Sequence, residues 1–449
     1  MGVYFGTDGF RGEAGAIVTA ERAFAIGRVL GKYFGKGSKD RPKAVIGKDT
    51  RRSSYCLEYA VASGLAASGA DAYMMHVTTT PSVAYTVRAD SMDLGIMISA
   101  SHNPYTDNGI KVVNGRGEKV GDEVIEELEA MMETAQSIPH ARGKDIGRIV
   151  DYYEGRNRYI GYLISTAKSS FRGLRIGLDC ANGSAFTIGR SVFSALGAEV
   201  TAIGTDPDGT NINREVGSTD VRALCRLVRE MGLDLGLAFD GDADRCIAVD
   251  RFGREVNGDK ILYALAVEMR KRGELHGNTV VTTVMSNLGL YQALDNCGIE
   301  YKKVAVGDRF IYEEMQRGGY SIGAEQSGHL IVKKYAGTGD GILTGIRLCE
   351  AIIDTRLPLD ELVKPVTMLP QVTVSVPVAN KAVAECDAVL KEKMRIEKTL
   401  GKSGRILVRK SGTEPVVRVM AEAEDESLAK ELVTSLAEVI KREDTEAKQ

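Results

Sequence analysis

GIMISASHNPYTDNGIK, residues 95–111, is the stretch from which the chain is read. The apolar run at its start (Leu94, Ile96, Met97, Ile98) reads as a buried strand, and it ends in Ser99, Ala100, Ser101, His102, Asn103 and Pro104. A strand that ends this way delivers one side chain, the Ser101 hydroxyl, to the rim of a sheet, where open α/β sheets keep their sites. Pro104 keeps Asn103 out of the helical region and stiffens the turn. Asn108-Gly109 predicts a second turn, and residues 110–113 restart a strand. Two strand ends then bring Ser101, His102 and Lys111 together. Alone, the stretch also fits a solvated loop with an incidental serine, so the rest of the chain must supply partners.

Outward from this stretch, one unit recurs. An apolar strand (Ala44-Val45-Ile46-Gly47), a polar loop (Lys48-Asp49-Thr50-Arg51-Arg52), a helix and a second strand opening at Gly69 form a βαβ pattern. It returns from Leu174 and again from Thr279, with Gly197 and Gly298 where Gly69 stands, each glycine a helix-stop signal. Three copies predict three related α/β domains with mixed sheets, over residues 1–150, 151–255 and 256–365. From there the grammar changes. Val372, Val374, Val376 and Val378 alternate as on a strand, 381–399 reads as a helix, 405–408 and 416–421 as strands, and 426–442 as a last helix. Residues 366–449 are thus a separate α+β domain.

Composition sets limits. The chain has 449 residues, too many for one core, with 43% hydrophobic and 27% charged residues, as in ordinary globular proteins. A net charge of −3 without a basic stripe argues against nucleic acid as a partner. No apolar run reaches the roughly 18 residues that span a bilayer. MGVYFGTDGFRGE lacks the charged and apolar regions of a signal peptide, and the seven cysteines are scattered without a CxxC. A reduced, cytoplasmic protein is expected.

Four loops carry chemistry. Asp240-Gly241-Asp242-Ala243-Asp244-Arg245 follows an apolar strand, 235–239. Three carboxylates at alternate positions repel one another unless neutralised, and a hard divalent ion with oxygen ligands, Mg²⁺ for choice, is the natural remedy. An EF-hand is excluded, because Arg245 and Arg251 occupy its glycine and glutamate positions. Gly323-Ala324-Glu325-Gln326-Ser327-Gly328-His329 presents Glu325, Ser327 and His329 between small residues, a set suited to sugar hydroxyls, although a plain turn reads equally well. Arg409-Lys410-Ser411-Gly412-Thr413-Glu414-Pro415-Val416-Val417-Arg418 joins two strands with two arginines, two hydroxyls and a flexible glycine, which reads as an anion cradle or, more plainly, as a basic hairpin. At the N-terminus, glycines 6, 9 and 12 surround Arg11, so backbone and guanidinium can approach a ligand together, although a tight β-turn with a surface arginine reads equally well.

With SASHNP, DGDADR, EQSGH and RKSGTEP in this order, the chain resembles the α-D-phosphohexomutase superfamily over nearly its whole length. FGTDGFRG, TVMSNLGL, VGDRF and Gln326 lean toward the branch that acts on glucosamine phosphates. Val216-Gly217-Ser218-Thr219-Asp220 departs from that branch, which often has cysteine first and histidine last; neither position matches a catalytic residue. The resemblance implies four domains around a central cleft, with hinge closure of the last. It implies an intramolecular phosphotransferase in which Ser101, as phosphoserine, passes its group to glucosamine 6-phosphate. A 1,6-bisphosphate, also the activator, then reorients in place and yields glucosamine 1-phosphate for amino-sugar nucleotide and cell-wall precursor synthesis. One Mg²⁺ per chain would be held by Ser101, Asp240, Asp242 and Asp244. Arg11, His102 and Lys111 would stabilise the serine side, with Lys111 or His329 as general acid/base. Arg245, Gly307, Glu325 and Ser327 would hold the sugar, and Arg409, Ser411, Gly412, Thr413 and Arg418 the distal phosphate. The family also suggests a homodimer. The alternatives are a mutase for mannose or glucose phosphates, a non-catalytic sugar-phosphate sensor, and a Ca²⁺-binding interaction protein. Intact Ser101 and three aspartates count against the sensor, and the failed EF-hand pattern against the last.

Overall fold

The computed structural model describes residues 9–37, 40–411 and 415–446. The apolar runs form strands and the amphipathic stretches between them form helices. The first sheet contains β1 (Phe10–Glu13), β2 (Lys43–Lys48), β3 (Asp71–Val77), β4 (Leu94–Ile98), β5 (Asp107–Asn114) and β6 (Ile149–Asp151), in the order β1-β5-β4-β2-β3-β6. β2, β3, β4 and β6 run parallel, while β5 is antiparallel to both β4 and β1. All five residues of β4 are buried, because both faces of the sheet are covered: Ile96 and Ile98 join one core cluster and Met97 the other. That is why the strand reads as a continuous apolar run rather than an alternating one.

The second sheet, of β7 (Arg175–Asp179), β8 (Glu199–Ile203), β9 (Leu235–Phe239), β10 (Cys246–Asp250) and β11 (Glu255–Val256), has the order β11-β10-β9-β7-β8. The third, of β12 (Thr279–Thr283), β13 (Glu300–Val304), β14 (Ile322–Ala324) and β15 (Leu330–Val332), has the order β13-β12-β14-β15. Each of the three recurrent units closes as a parallel pair, β2 with β3, β7 with β8 and β12 with β13. The last sheet is antiparallel, with β16 (Gln371–Pro377), β17 (Arg405–Lys410) and β18 (Val416–Glu422) in the order β16-β18-β17. Its core includes Val376 and Val419 from the sheet, Ile396 from the helix Asp387–Leu400 and Leu436 from the helix Glu426–Glu446. The architecture is therefore three α/β domains with mixed sheets and a C-terminal α+β domain.

By compactness the chain divides into two units. One is Met1–Val284 with Glu300–Val363; the other is Met285–Ile299 with Lys364–Gln449. Within the second, the helix Leu288–Cys297 is tied to the antiparallel sheet: the Leu288 N–H donates to Glu422 Oε2 at 2.8 Å, and Arg405 Nε pairs with the same oxygen at 2.7 Å.

Two local expectations are corrected. Asn108-Gly109 is not a turn; both residues lie inside β5, because β1 pairs with them (Gly12 opposite Asn108, Arg11 opposite Gly109). Asn108 spends its amide on the Ser53 and Ser54 hydroxyls at 2.8 and 2.9 Å, and a Cβ at position 109 would come within 2.8 Å of the Ser99 carbonyl oxygen. The helix read over 381–399 is two pieces, a 3₁₀ turn Lys381–Glu385 and the α-helix Asp387–Leu400. Cys386 separates them in an extended conformation (ψ 155°). Among the described residues no helix is long and apolar enough to cross a membrane.

Candidate active site

Ile98 at the end of β4 is paired with Ile110 of β5, so the chain leaves the sheet immediately before Ser99. Ser101 has a left-handed backbone (φ 53°), a conformation that costs energy for any residue with a Cβ and persists only where surroundings over-determine it. It is 2% exposed. Its Oγ donates to Asp240 Oδ2 at 2.5 Å and lies 3.4 Å from His102 Nδ1. Burial pushes the His102 imidazole down to about 4, with the Arg245 and Arg11 cations adding to the effect, so that ring is neutral at physiological pH.

Asp240 follows β9 directly. The loop turns on itself as the Ala243 N–H donates to the Asp240 carbonyl at 3.0 Å, with Ala243 left-handed (φ 57°), and the Arg245 N–H donates to Asp240 Oδ1 at 3.1 Å. Asp240, Asp242 and Asp244 are all buried, and each offers an oxygen within 4.8 Å of the others. Burial pushes the Asp240 carboxyl well above the ordinary carboxylate range, and the charges of Asp244 and Asp242 push it further. Lys111 Nζ supplies one positive charge, 2.7 Å from Asp242 Oδ2 and 3.2 Å from Asp244 Oδ2. Asp242 Oδ1 is buried with no hydrogen-bond partner. A crowded, buried set of oxygen donors, one of them without a hydrogen bond, fits a hard divalent cation.

The third loop joins β14 to β15 in a tight turn, in which the Glu325 N–H donates to the His329 carbonyl and the Gly328 N–H to the Glu325 carbonyl, each at 3.0 Å. Glu325 Oε1 accepts the Gly307 N–H at 3.1 Å. His329 is 4% exposed. Its Nε2 accepts the Gly339 N–H at 3.2 Å and lies 3.4 Å from Asp308 Oδ2, while Nδ1 is buried without a hydrogen-bond partner. The backbones of His329 and Arg245 form an isolated antiparallel bridge, which locks the third loop to the aspartate loop. Burial opposes the charge on Arg245, but Asp240, Asp244 and Glu325 outweigh it and hold the guanidinium above its ordinary value. Ser327 is exposed.

In the second unit, Arg409 of β17 stands opposite Arg418 of β18. The Ser411 N–H donates to the Val416 carbonyl at 3.0 Å, and Lys381 Nζ donates to the Ser411 carbonyl at 2.8 Å, so a lysine reaches the loop as well.

In the first unit the structure thus joins Ser101, His102, Lys111, the three aspartates, Arg245 and His329 through direct contacts or loop pairing, with Arg11 on β1 opposite Gly109 and Glu325 bonded to Gly307. Arg409, Ser411 and Arg418 belong to the second unit. Gly412 and Thr413, and Gly6 of the N-terminal motif, lie outside the described residues. Sequence reasoning missed four residues. The Thr80 hydroxyl donates to Asp242 Oδ2 and the Thr80 N–H to the Asp242 carbonyl, so a helix start from the first sheet holds the middle aspartate. Asp49, Arg51 and Asn213 hold the serine loop from behind. For Asp49 and Arg51 the available signal was the charged loop after an apolar strand; for Thr80 and Asn213 there was none.

Profiles described as phosphoglucomutase/phosphomannomutase match in four segments: alpha/beta/alpha domain I over residues 2–138, domain II over 157–253, domain III over 257–368 and the C-terminal domain over 374–439. The phosphoglucosamine mutase of Lachnospira eligens is 53% identical over 444 residues, covering 98% of this chain and 99% of that one. Among solved structures, a phosphoglucomutase/phosphomannomutase family protein from Burkholderia thailandensis superposes with a TM-score of 0.80 at 24% identity, covering 96% of each chain. The Aspergillus fumigatus N-acetylphosphoglucosamine mutase, solved in complex with GlcNAc-6P and magnesium, gives 0.68 at 18% identity, covering 99% of this chain and 96% of that one. At these identities the structures speak for the fold.

Proposed function

The chain belongs to the phosphoglucomutase/phosphomannomutase family, and from that premise we propose that it interconverts glucosamine 6-phosphate and glucosamine 1-phosphate by phosphoryl transfer through Ser101. The observation that carries the reading is the Ser101 hydroxyl, buried and hydrogen-bonded to one of three clustered carboxylates.

Ser101 acts as phosphoserine. In the first half-reaction the bond between phosphorus and Ser101 Oγ breaks as a bond to the sugar O1 forms; O1 gives up its proton and Oγ leaves as an alkoxide equivalent that is reprotonated. In the second half-reaction Oγ gives up its proton and bonds the 6-phosphorus of the reoriented 1,6-bisphosphate as the bond from phosphorus to O6 breaks; O6 takes up a proton, and glucosamine 1-phosphate is released. We assign the proton exchange with the sugar hydroxyl to Lys111 or His329, the first bonded to the aspartates and the second paired with their loop. Lys111, Arg11 and Arg245 carry the positive charge that a transferring phosphoryl group needs. Asp240, Asp242 and Asp244 would hold Mg²⁺, together with an oxygen of the phosphoserine; when bound, the ion offsets charge on the transferring group. Magnesium suits the all-oxygen donor set and is present in the Aspergillus fumigatus relative. Glu325 and Ser327 read sugar hydroxyls that both orientations share. Arg409, Ser411, Gly412, Thr413 and Arg418 hold whichever phosphate is not reacting.

The preference for glucosamine rests on the 53% identical relative and on Gln326 in the sugar loop. Coupled turnover of glucosamine 6-phosphate against glucose and mannose 6-phosphates, with Mg²⁺ and a trace of hexose 1,6-bisphosphate, tests it. The highest kcat/KM should belong to the amino sugar; a higher value for mannose or glucose 6-phosphate would move the chain to the other branch, and no turnover at all would leave a sensor.

A further inference from the structure

The Ser101 carbonyl oxygen, on the side of the residue away from the chemistry, is more heavily anchored than the hydroxyl. Arg51 Nη2 donates to it at 2.8 Å and Asn213 Nδ2 at 2.9 Å. A Cβ on Gly241, in the aspartate loop, would stand 2.6 Å from the same oxygen, so the loop backbone packs on it with no side chain between. Both donors reach further along the turn. Arg51 Nη1 donates to the carbonyls of Pro104 and Asp107, the latter at 3.2 Å, and Asn213 Nδ2 is 3.1 Å from the Asn103 carbonyl.

Arg51 is itself fixed. It is 0% exposed, as is Asp49, whose Oδ2 accepts Arg51 Nε at 2.7 Å. The same carboxylate accepts the Ser99 hydroxyl at 2.7 Å through Oδ2 and the Ser54 hydroxyl at 2.7 Å through Oδ1, and the Ser101 N–H donates to Ser99 Oγ at 2.9 Å. A buried ion pair is a weak source of net stability but a strong constraint on geometry, because its lone pairs and N–H groups all demand partners. Here the demand is met by main-chain groups at 101, 104 and 107 and by the hydroxyl that bonds the 101 N–H. Both ends of the Ser101 peptide frame are therefore held while φ stays at 53°.

We infer that Arg51, seated on Asp49, and Asn213 are positioning residues that impose the left-handed backbone at Ser101 and so aim its oxygen at Asp240. Neither touches the hydroxyl. Lysine cannot replace Arg51, since a single ammonium cannot span the carbonyls of 101, 104 and 107 and Asp49 at once. The inference rests on the phosphoserine reading above.

The test is the rate at which Ser101 gains a phosphoryl group from glucose 1,6-bisphosphate with Mg²⁺, followed by intact mass, in the natural chain, Arg51→Lys and Asn213→Gly. Glycine keeps the left-handed backbone of position 213 (φ 58°) without strain and removes only the amide. Melting temperature and KM for glucosamine 6-phosphate are measured alongside. Phosphorylation should slow about ten- to a hundred-fold in Arg51→Lys and by a smaller factor in Asn213→Gly, the cost of a misaimed nucleophile, with KM unchanged. Asn213→Gly should melt close to the natural chain, so its slower transfer cannot come from unfolding. If the natural chain is phosphorylated and Asn213→Gly is phosphorylated equally fast, the positioning role is overturned. If the natural chain takes up no phosphate, the phosphoserine reading itself fails.

Discussion

Arg409 and Arg418 face each other across the β17–β18 ladder, two guanidinium groups at one register position. Like charges directly opposite on a sheet are destabilising. Burial lowers the Arg409 pKa and the Arg418 charge lowers it further, so the pair is held in a state that an anion would relieve. A dianionic phosphate is the occupant that the reaction provides. Arg418→Ala should cost one charge-assisted contact, about 1.5–3 kcal/mol, or roughly ten- to a hundred-fold in kcat/KM. The loss should be equal in both reaction directions, because the reoriented intermediate meets the same arginine, and added bisphosphate should restore part of the rate. Forward and reverse kcat/KM with and without bisphosphate check this; an unaltered enzyme would make Arg418 a surface arginine.

Asp242 carries the middle of the three negative charges, with one oxygen engaged by Thr80 and Lys111 and the other without a hydrogen bond. Asp242→Asn should weaken Mg²⁺ binding and lower kcat by orders of magnitude, with little loss of fold, since the amide keeps an oxygen for Thr80. Calorimetric titration with Mg²⁺ reads the first effect directly. Full activity of the natural chain in excess chelator would reduce the triad to a structural role.

Asp340 caps the helix Gly341–Thr355, accepting the Leu343 N–H at 2.9 Å, and accepts the Tyr159 hydroxyl at 2.8 Å. Burial raises its carboxyl to about 6, against an ordinary 3.8, despite those bonds. The folded state therefore prefers the protonated form. Its contribution to stability is fully present below about pH 4 and is lost as pH rises through about 6, to the extent of about 3 kcal/mol at roughly 1.4 kcal/mol per pKa unit. An asparagine at this position would cap the helix as well without that loss. Asp340→Asn should therefore gain stability relative to the natural chain between pH 4 and 6, with a constant difference above. Denaturant unfolding at a series of pH values checks it, and parallel curves for the two proteins would show that Asp340 is ionised at no cost.

The parts of the site that were legible in the sequence are those whose chemistry is local. Asp240, Asp242 and Asp244 announce a cation because their charges are crowded into five residues, and Leu94 to Ile98 announces a buried strand because every position is apolar. What was not legible is what arrives from elsewhere in the chain. Arg51 reaches the Ser101 carbonyl across 50 positions, Asn213 across 112, and Thr80 reaches Asp242 across 162. No spacing rule connects such residues, and each alone reads as a polar loop residue. Asn108-Gly109 misled for the same reason: the dipeptide favours a turn, but β1 and the hydroxyls of Ser53 and Ser54 pair it into a strand. Tertiary partners overrode local preference there.

The central claim is that the hydroxyl bonded to Asp240 at 2.5 Å is the one that carries the phosphoryl group. Ser101→Ala removes that oxygen and leaves the buried triad in place. Turnover of glucosamine 6-phosphate by the natural chain and by Ser101→Ala, with Mg²⁺ and saturating hexose 1,6-bisphosphate, tests the claim most directly, with peptide mass mapping of both proteins after exposure to bisphosphate. The account predicts no turnover by the alanine variant, and a phosphate-sized mass on the Ser101 peptide of the natural chain alone. Near-normal turnover by Ser101→Ala would contradict it.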